Sequence, residues 1–226
     1  MKLNSGEIKT IFPAHNHVIL KPIIDTNKTQ TKSDVSLYTD TTYKPEHHAR
    51  VICEVISLPK NLVYDKRYPE LSMEWMCDNE LKIGDKVIVK YIAALNAEKY
   101  YHLIDENKEK YYLVPYQQIY LYIRNNEVTM INGYVLVTTI KQNIESNLHL
   151  LPKDDDKYAI VRYCGTPNYE YFTGEYDDDI IDVGNKIILS YPSANYKRLE
   201  NSLHMVFDKE QQYIVLQRHQ ISAVIK

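Results

Sequence analysis

His15 and His17 stand two residues apart, a spacing that sets both imidazoles on one face of a strand, and His47-His48 offers a second imidazole pair. Such pairs are a common start to a metal site. No Cys or carboxylate completes a familiar ligand spacing around either pair, so neither a metal nor a cofactor is expected. Asp154-Asp155-Asp156 and Asp177-Asp178-Asp179 carry enough carboxylate for a hard cation. Neither run fits the spaced oxygen ligands of a calcium loop, and short acidic runs read as solvated loops. Cys53, Cys77 and Cys164 are too far apart for a CxxC pair and read as free thiols of a reducing compartment. No G-x-S-x-G, P-loop or H-E-x-x-H pattern sets a nucleophile or base at catalytic spacing, so the chain is not expected to be an enzyme. The remaining chemistry is that of surfaces: aliphatic side chains held in polar loops, and strand edges.

The totals restrict those surfaces further. The chain has 226 residues, 44% hydrophobic and 25% charged, which suits one or two globular domains with a buried core. A formal net charge of -3 and the absence of a dense Lys/Arg run give no general attraction for phosphate backbones, so nucleic acid is not an expected partner. No stretch approaches the ~18 to 20 apolar residues of a membrane span, and MKLNSGEIKT lacks the apolar core of a secretory signal. A cytoplasmic protein is expected. The 21 Tyr suit half-buried strand positions.

The chain repeats itself. Leu81-Lys82-Ile83-Gly84-Asp85-Lys86-Val87-Ile88-Val89-Lys90-Tyr91 returns as Ile181-Asp182-Val183-Gly184-Asn185-Lys186-Ile187-Ile188-Leu189-Ser190-Tyr191, an offset of 100 (81 to 181). Tyr111 to Ile119 aligns with Tyr213 to Ile221 at 102 (111 to 213), Arg50 to Val55 with Tyr158 to Tyr163 at 108 (50 to 158), and Val18-Ile19-Leu20 with Val135-Leu136-Val137 at 117 (18 to 135). The offsets drift as loops change length. The blocks are short, rich in Val, Ile and Tyr, and bounded by Gly, Pro, Asn and Asp, the pattern of strands. The reading is all-β with two tandem domains, residues 1–125 and 126–226. Gly84-Asp85 and Gly184-Asn185 read as structural turns, with glycine free to adopt positive φ and Asp or Asn bonding the local backbone.

The order of these blocks resembles the GroES-like small co-chaperonins. Pro13-Ala14-His15-Asn16-His17-Val18-Ile19-Leu20-Lys21-Pro22 fits the family's opening strand; Ala49 to Val55, Leu81 to Val89 and Leu113 to Ile123 follow in the family's order, and the second half repeats them, ending Gln220-Ile221-Ser222-Ala223-Val224-Ile225. The resemblance implies two tandem, partly open β-barrels with long loops. It also implies a homo-oligomeric ring built through edge strands, with Leu121, Tyr122, Ile123, Val224 and Ile225 as the ring interface; closure of each barrel upon itself is the alternative use of those strands.

The same resemblance assigns partner contacts to the loop after the first strand. In the first half this is Thr26 to His48, carrying Val35, Leu37 and Tyr38; in the second it is Ser146 to Leu151, carrying Leu148, Leu150 and Leu151. These aliphatic groups would dock on a chaperonin double ring that the protein caps. Ser33-Asp34 and Ser146-Asn147 stand where the family has Gly-Gly. The alternative is a non-enzymatic structural ring of a larger particle, such as a phage head-tail collar, with neighbouring virion proteins as partners and the virion as location. The Leu58 to Glu80 stretch, with Met73, Trp75 and Met76, takes the place of the family's roof hairpin, as the shorter Pro167 to Asp179 does in the second half.

Overall fold

The computed structural model describes residues 4–23, 28–30, 36–38, 51–63, 77–142, 153–166, 169–170, 175–176, 181–191, 198–199 and 213–225. The chain divides into two compact units, residues 1–127 and 128–226. No helix among the described residues is long and apolar enough to cross a membrane.

In the first unit α1 (Ser5–Thr10) precedes β1 (His17–Pro22), and β2 (Lys28–Gln30) pairs with β3 (Ser36–Tyr38) as a separate hairpin. Then come β4 (Ile52–Ser57), β5 (Lys86–Val89), α2 (Tyr91–Lys99), β6 (His102–Ile104) and β7 (Lys110–Pro115), and a 3-10 turn, Tyr116–Gln118, leads into β8 (Ile119–Arg124). β9 (Glu127–Met130), which begins at the last residue of the first unit and continues into the second, follows through Asn125 and Asn126, whose φ angles of 54 and 65 are those of a tight type I′ hairpin turn. The sheet order is β6-β7-β1-β4-β5-β8-β9.

The second unit contains β10 (Tyr134–Gln142), β11 (Lys153–Cys164), a small hairpin of β12 (Tyr169–Glu170) and β13 (Glu175–Tyr176), β14 (Lys186–Leu189), β15 (Arg198–Leu199) and β16 (Tyr213–Gln217). A 3-10 turn, Arg218–Gln220, leads into β17 (Ile221–Ile225), and the sheet order is β15-β16-β10-β11-β14-β17. Both large sheets are antiparallel and neither closes into a barrel. The protein is all-β in architecture, and the described residues of the first unit add the helices α1 and α2.

The sequence repeat is a repeat of register. Val18 faces Val114 and Leu20 faces Val55 in the first sheet; Val135 faces Leu216 and Val137 faces Val161 in the second. Ile88 faces Leu121 as Ile188 faces Ala223. Register shifts fall between Ile19 and Leu20 and between Leu136 and Val137, and again between Ile88 and Val89 and between Ile188 and Leu189. The second core gathers Val135, Val137, Ala159, Val161, Ile181, Ile187, Leu189, Ile214 and Leu216. Their counterparts Val18, Leu20, Cys53, Val55, Leu81, Val87, Val89, Tyr112 and Val114 are buried in the first unit. Alternation along each strand delivers these residues to one face of the sheet.

One alignment needs correction. Gly84 N–H donates to Val55 O and Gly184 N–H to Val161 O, so Val55 corresponds to Val161, an offset of 106 (55 to 161) rather than 108. A slip of two residues returns every side chain to the same face, so hydrophobic alternation alone cannot detect it. Two further expectations change. Asp154-Asp155-Asp156 lies in β11 rather than in a loop, where the register sets Asp154 opposite Lys141. The helices α1 and α2 were not part of the all-β reading. An Asn4/Glu7 capping box closes the first turn of α1, with both bonds at 2.7 Å. Ile8 then packs with Ile19, Ile56 and Tyr111 on the face of the first sheet opposite its main core. α2, YIAALNAEK, consists mostly of good helix formers and buries Ala94 and Ala97.

Each repeat turns through a glycine, Gly84 at φ 90 and Gly184 at φ 91, and a methyl group added at either would meet nothing within 4 Å. Asp85 Oδ2 accepts Lys82 N–H at 2.7 Å and Asn185 Oδ1 accepts Asp182 N–H at 2.9 Å, closing the same turn in both units. Since the space is open, alanine there costs only backbone strain. Gly84→Ala and Gly184→Ala are expected to lose about 1 to 2 kcal/mol each in urea unfolding; unequal losses would show that the two turns are not energetically equivalent.

Candidate functional site

The strands that close each repeat, β8 and β17, have the same partner on one side: β5 for β8 and β14 for β17. They differ on the other. β8 is flanked by β9, so the free edge expected at Leu121, Tyr122 and Ile123 is already occupied. Leu121 is fully buried and Tyr122 and Ile123 are half-buried. Consecutive asparagines after β8 supply the turn that folds the chain back, in the stretch read from sequence as a domain boundary.

Among the described residues β17 is an outer strand of its sheet, as β15 is at the other side. Ile221 and Val224 pack against the second core, while Ser222, Ala223 and Ile225 are exposed, Ile225 by 42%. Its described residues, Ile221–Ile225, include no charged side chain and no proline. Natural edge strands are usually blunted by such residues, and an uncharged edge of this length is a template for pairing with another strand.

The described residues cover the partner-binding loops only in part. Leu37 and Tyr38 belong to β3, opposite Thr29 and Lys28. Val35, Leu148, Leu150 and Leu151 lie outside the described residues. The second loop leaves a long hairpin in which β10 and β11 remain paired as far as Gln142 and Lys153. The ends of the Leu58 to Glu80 stretch are fixed. The Asn16 side chain accepts Val63 N–H at 2.6 Å and donates to Val63 O at 3.0 Å, while the buried Tyr116 hydroxyl accepts Glu80 N–H at 3.0 Å. Trp75, Met73 and Met76 are outside the described residues.

Three polar clusters could have carried chemistry. The first joins β5 to the end of β8: Arg124 Nε and Nη2 donate to Asp85 Oδ1 and Oδ2 at 2.8 and 2.7 Å, Nη2 also donates to Glu80 O at 3.0 Å, and the guanidinium lies 4.5 Å from the Tyr122 ring centroid. The hydrogen bonds to Asp85 hold the Arg124 guanidinium above its ordinary pKa despite desolvation. The second lies at the β6–β7 turn. The fully buried Asp105 carboxylate accepts N–H groups of Asn107 and Glu109 at 2.8 and 2.9 Å and the Tyr111 hydroxyl at 3.3 Å, beside a Lys21–Glu109 ion pair. The bond to Glu109 raises the Lys21 pKa and burial raises that of Tyr111, so neither is poised as a base near neutrality.

The third sets Arg218 Nη2 3.0 Å from the Cys164 sulfur and 2.6 Å from Gly165 O. Burial pushes the Cys164 thiol up, and the opposing pull of Arg218 is weaker. A raised thiol is a poor nucleophile. Among the described residues no group of three His, Cys, Asp or Glu side chains converges on a metal-sized site. The arrangement that remains is a duplicated sheet with a short uncharged edge. Neither a protein-family model nor a curated protein matches the chain.

Proposed function

We propose that copies of this chain assemble head to tail through β17 into a ring that acts by binding, with capping of a chaperonin double ring as its activity. One observation carries the reading: the edge that β9 covers in the first unit is bordered by no described strand in the second, so each chain offers one such edge of an otherwise repeated sheet. A single directional contact per chain builds a ring when its rotation closes. The repeated register, together with the order of sequence blocks shared with GroES-like co-chaperonins, supports the same reading.

The loops then supply weak contacts many times over. A buried aliphatic side chain contributes about 1.5 to 3 kcal/mol, and ordering each backbone residue costs about 1 to 2 kcal/mol. A single loop carrying Val35 and Leu37, or Leu148 and Leu150, would therefore bind weakly. A ring gains through effective concentration and can still release. A structural ring inside a larger particle is the second reading. It is favoured by the β2–β3 hairpin, which already commits Leu37 and Tyr38 to a strand.

The test images the purified protein, with and without a double-ring chaperonin and ATP. Ser222→Lys with Ala223→Lys blocks the edge, and Leu37→Asp with Leu150→Asp removes loop anchors. Rings that vanish in the edge variant, and nucleotide-dependent caps that vanish in the loop variant, are expected. Rings that never cap would favour the structural component; a wild-type chain that stays monomeric would overturn both readings.

A further inference from the structure

The most exposed large apolar side chain among the described residues, Phe12 at 82% exposure, sits on a fixed piece of backbone. Ile11 caps the C-terminal end of α1 and packs against the Ile8, Ile19, Ile56 and Tyr111 cluster, the Ser57 hydroxyl donates to Ile11 O at 2.7 Å, and Pro13 is buried. Phe12 is therefore presented to solvent by neighbours that are themselves anchored. An exposed aromatic on rigid backbone loses little conformational freedom when it docks, which is the physical basis of an interface anchor.

The same unit also has a receptor for such a group. α2 packs against β7 and β6 and leaves a groove of about 490 Å³. Leu113 and Pro115 line it from the sheet, Ile92 and Ala93 from the helix, and Tyr101, a residue 62% exposed, closes one wall. His17, Asn96 and Gln118 complete the lining, and none of these three side chains makes a hydrogen bond within the described residues. No Asp, Glu, Lys or Arg lines the groove, and the Ile11-Phe12-Pro13-Ala14 segment holds none either. Phe12 is too exposed to fill the groove of its own chain.

We propose that Phe12 of one copy inserts into the α2 groove of the next, with the ring against Leu113, Pro115 and Tyr101 and the free imidazole and amide groups meeting the backbone beside it. Knob and groove lie on the same face of the first sheet, because Ile11 packs against Ile19 and Ile19 faces Leu113 of the groove, so two copies can exchange knobs reciprocally about a two-fold axis. It rests on the proposal that copies associate, and it does not depend on β17.

Sedimentation of the full chain over a range of concentrations tests it, with Phe12→Ser, Ile92→Glu and an equimolar mixture of the two. Each variant alone is expected to weaken association at least about tenfold, with an unchanged urea midpoint. The mixture is expected to recover heterodimers, because Ile92→Glu keeps its knob and Phe12→Ser keeps its groove; a folding defect cannot produce that recovery. Association unaffected by either change, or no recovery in the mixture, overturns the proposal. Loss of association in the Ser222→Lys, Ala223→Lys chain but not in Phe12→Ser would leave the edge contact standing without this one, and a wild-type monomer would remove both.

Discussion

Arg124→Ala is expected to destabilise the first unit by about 3 kcal/mol, the low end of what removing one partner of a buried ion pair costs. The Asp85 side chain is only 4% exposed and the Arg124 side chain 29%, so without the arginine a carboxylate is left inside the protein with its two charge-assisted bonds gone. The second unit avoids the problem by having Asn185 at the equivalent turn, where its Oδ1 accepts Asp182 N–H at 2.9 Å. Asp85→Asn added to Arg124→Ala should therefore recover most of the loss while keeping an acceptor for Lys82 N–H. The bond from Arg124 to Glu80 O stays lost, a residual of about 1 kcal/mol. Urea unfolding followed by circular dichroism reads both losses. Equal losses in the single and double variants would show that the stranded charge is not the cause.

The pairing of units is legible because duplication repeats residues at points of geometric need. Gly84 and Gly184 recur because both turns require positive φ, and the apolar positions of the blocks around them recur because alternate residues fill the same core. What repetition cannot reveal is anything confined to one copy. Repetition gives no sign of α2, because Tyr91-Ile92-Ala93-Ala94 lines up with the dissimilar Tyr191-Pro192-Ser193-Ala194, and a comparison of halves hides a helix that composition alone would suggest. β9 escapes for a related reason. Asn125-Asn126 signals a hairpin as well as a linker, and a pair that falls between two repeats reads as the linker.

The functional surfaces are less legible, because exposure is a property of the assembled sheet. Leu121 and Ala223 hold equivalent register positions, yet one is buried beside β9 and the other is exposed at a sheet edge. Nothing local to either strand records that difference. Phe12 likewise lies in a stretch that the opening-strand motif nearly reaches, and only the burial of Pro13 and Ile8 around it shows that its exposure is imposed.

Gly165→Ala is expected to cost the second unit about 2 to 3 kcal/mol, more than Gly184→Ala in the same unit, because its penalty is steric rather than conformational. A methyl group at Gly165 would stand 2.9 Å from Met130 O, 3.1 Å from Met130 C and 3.2 Å from Tyr134 O, all backbone atoms that cannot swing aside as a side chain would. Relief requires the turn through Asn132 and Gly133 to shift, and that turn sets the start of β10, the strand with β11 on one side and β16 on the other. The same displacement would move Gly165 O away from Arg218 Nη2, now at 2.6 Å, and loosen the cover of the Cys164 thiol. Faster alkylation of Cys164 by iodoacetamide in native buffer should therefore accompany the lower urea midpoint. A midpoint shift no larger than that of Gly184→Ala, with Cys164 as slow as in the wild type, would mean the 130–134 turn yields at little cost and does not fix β10.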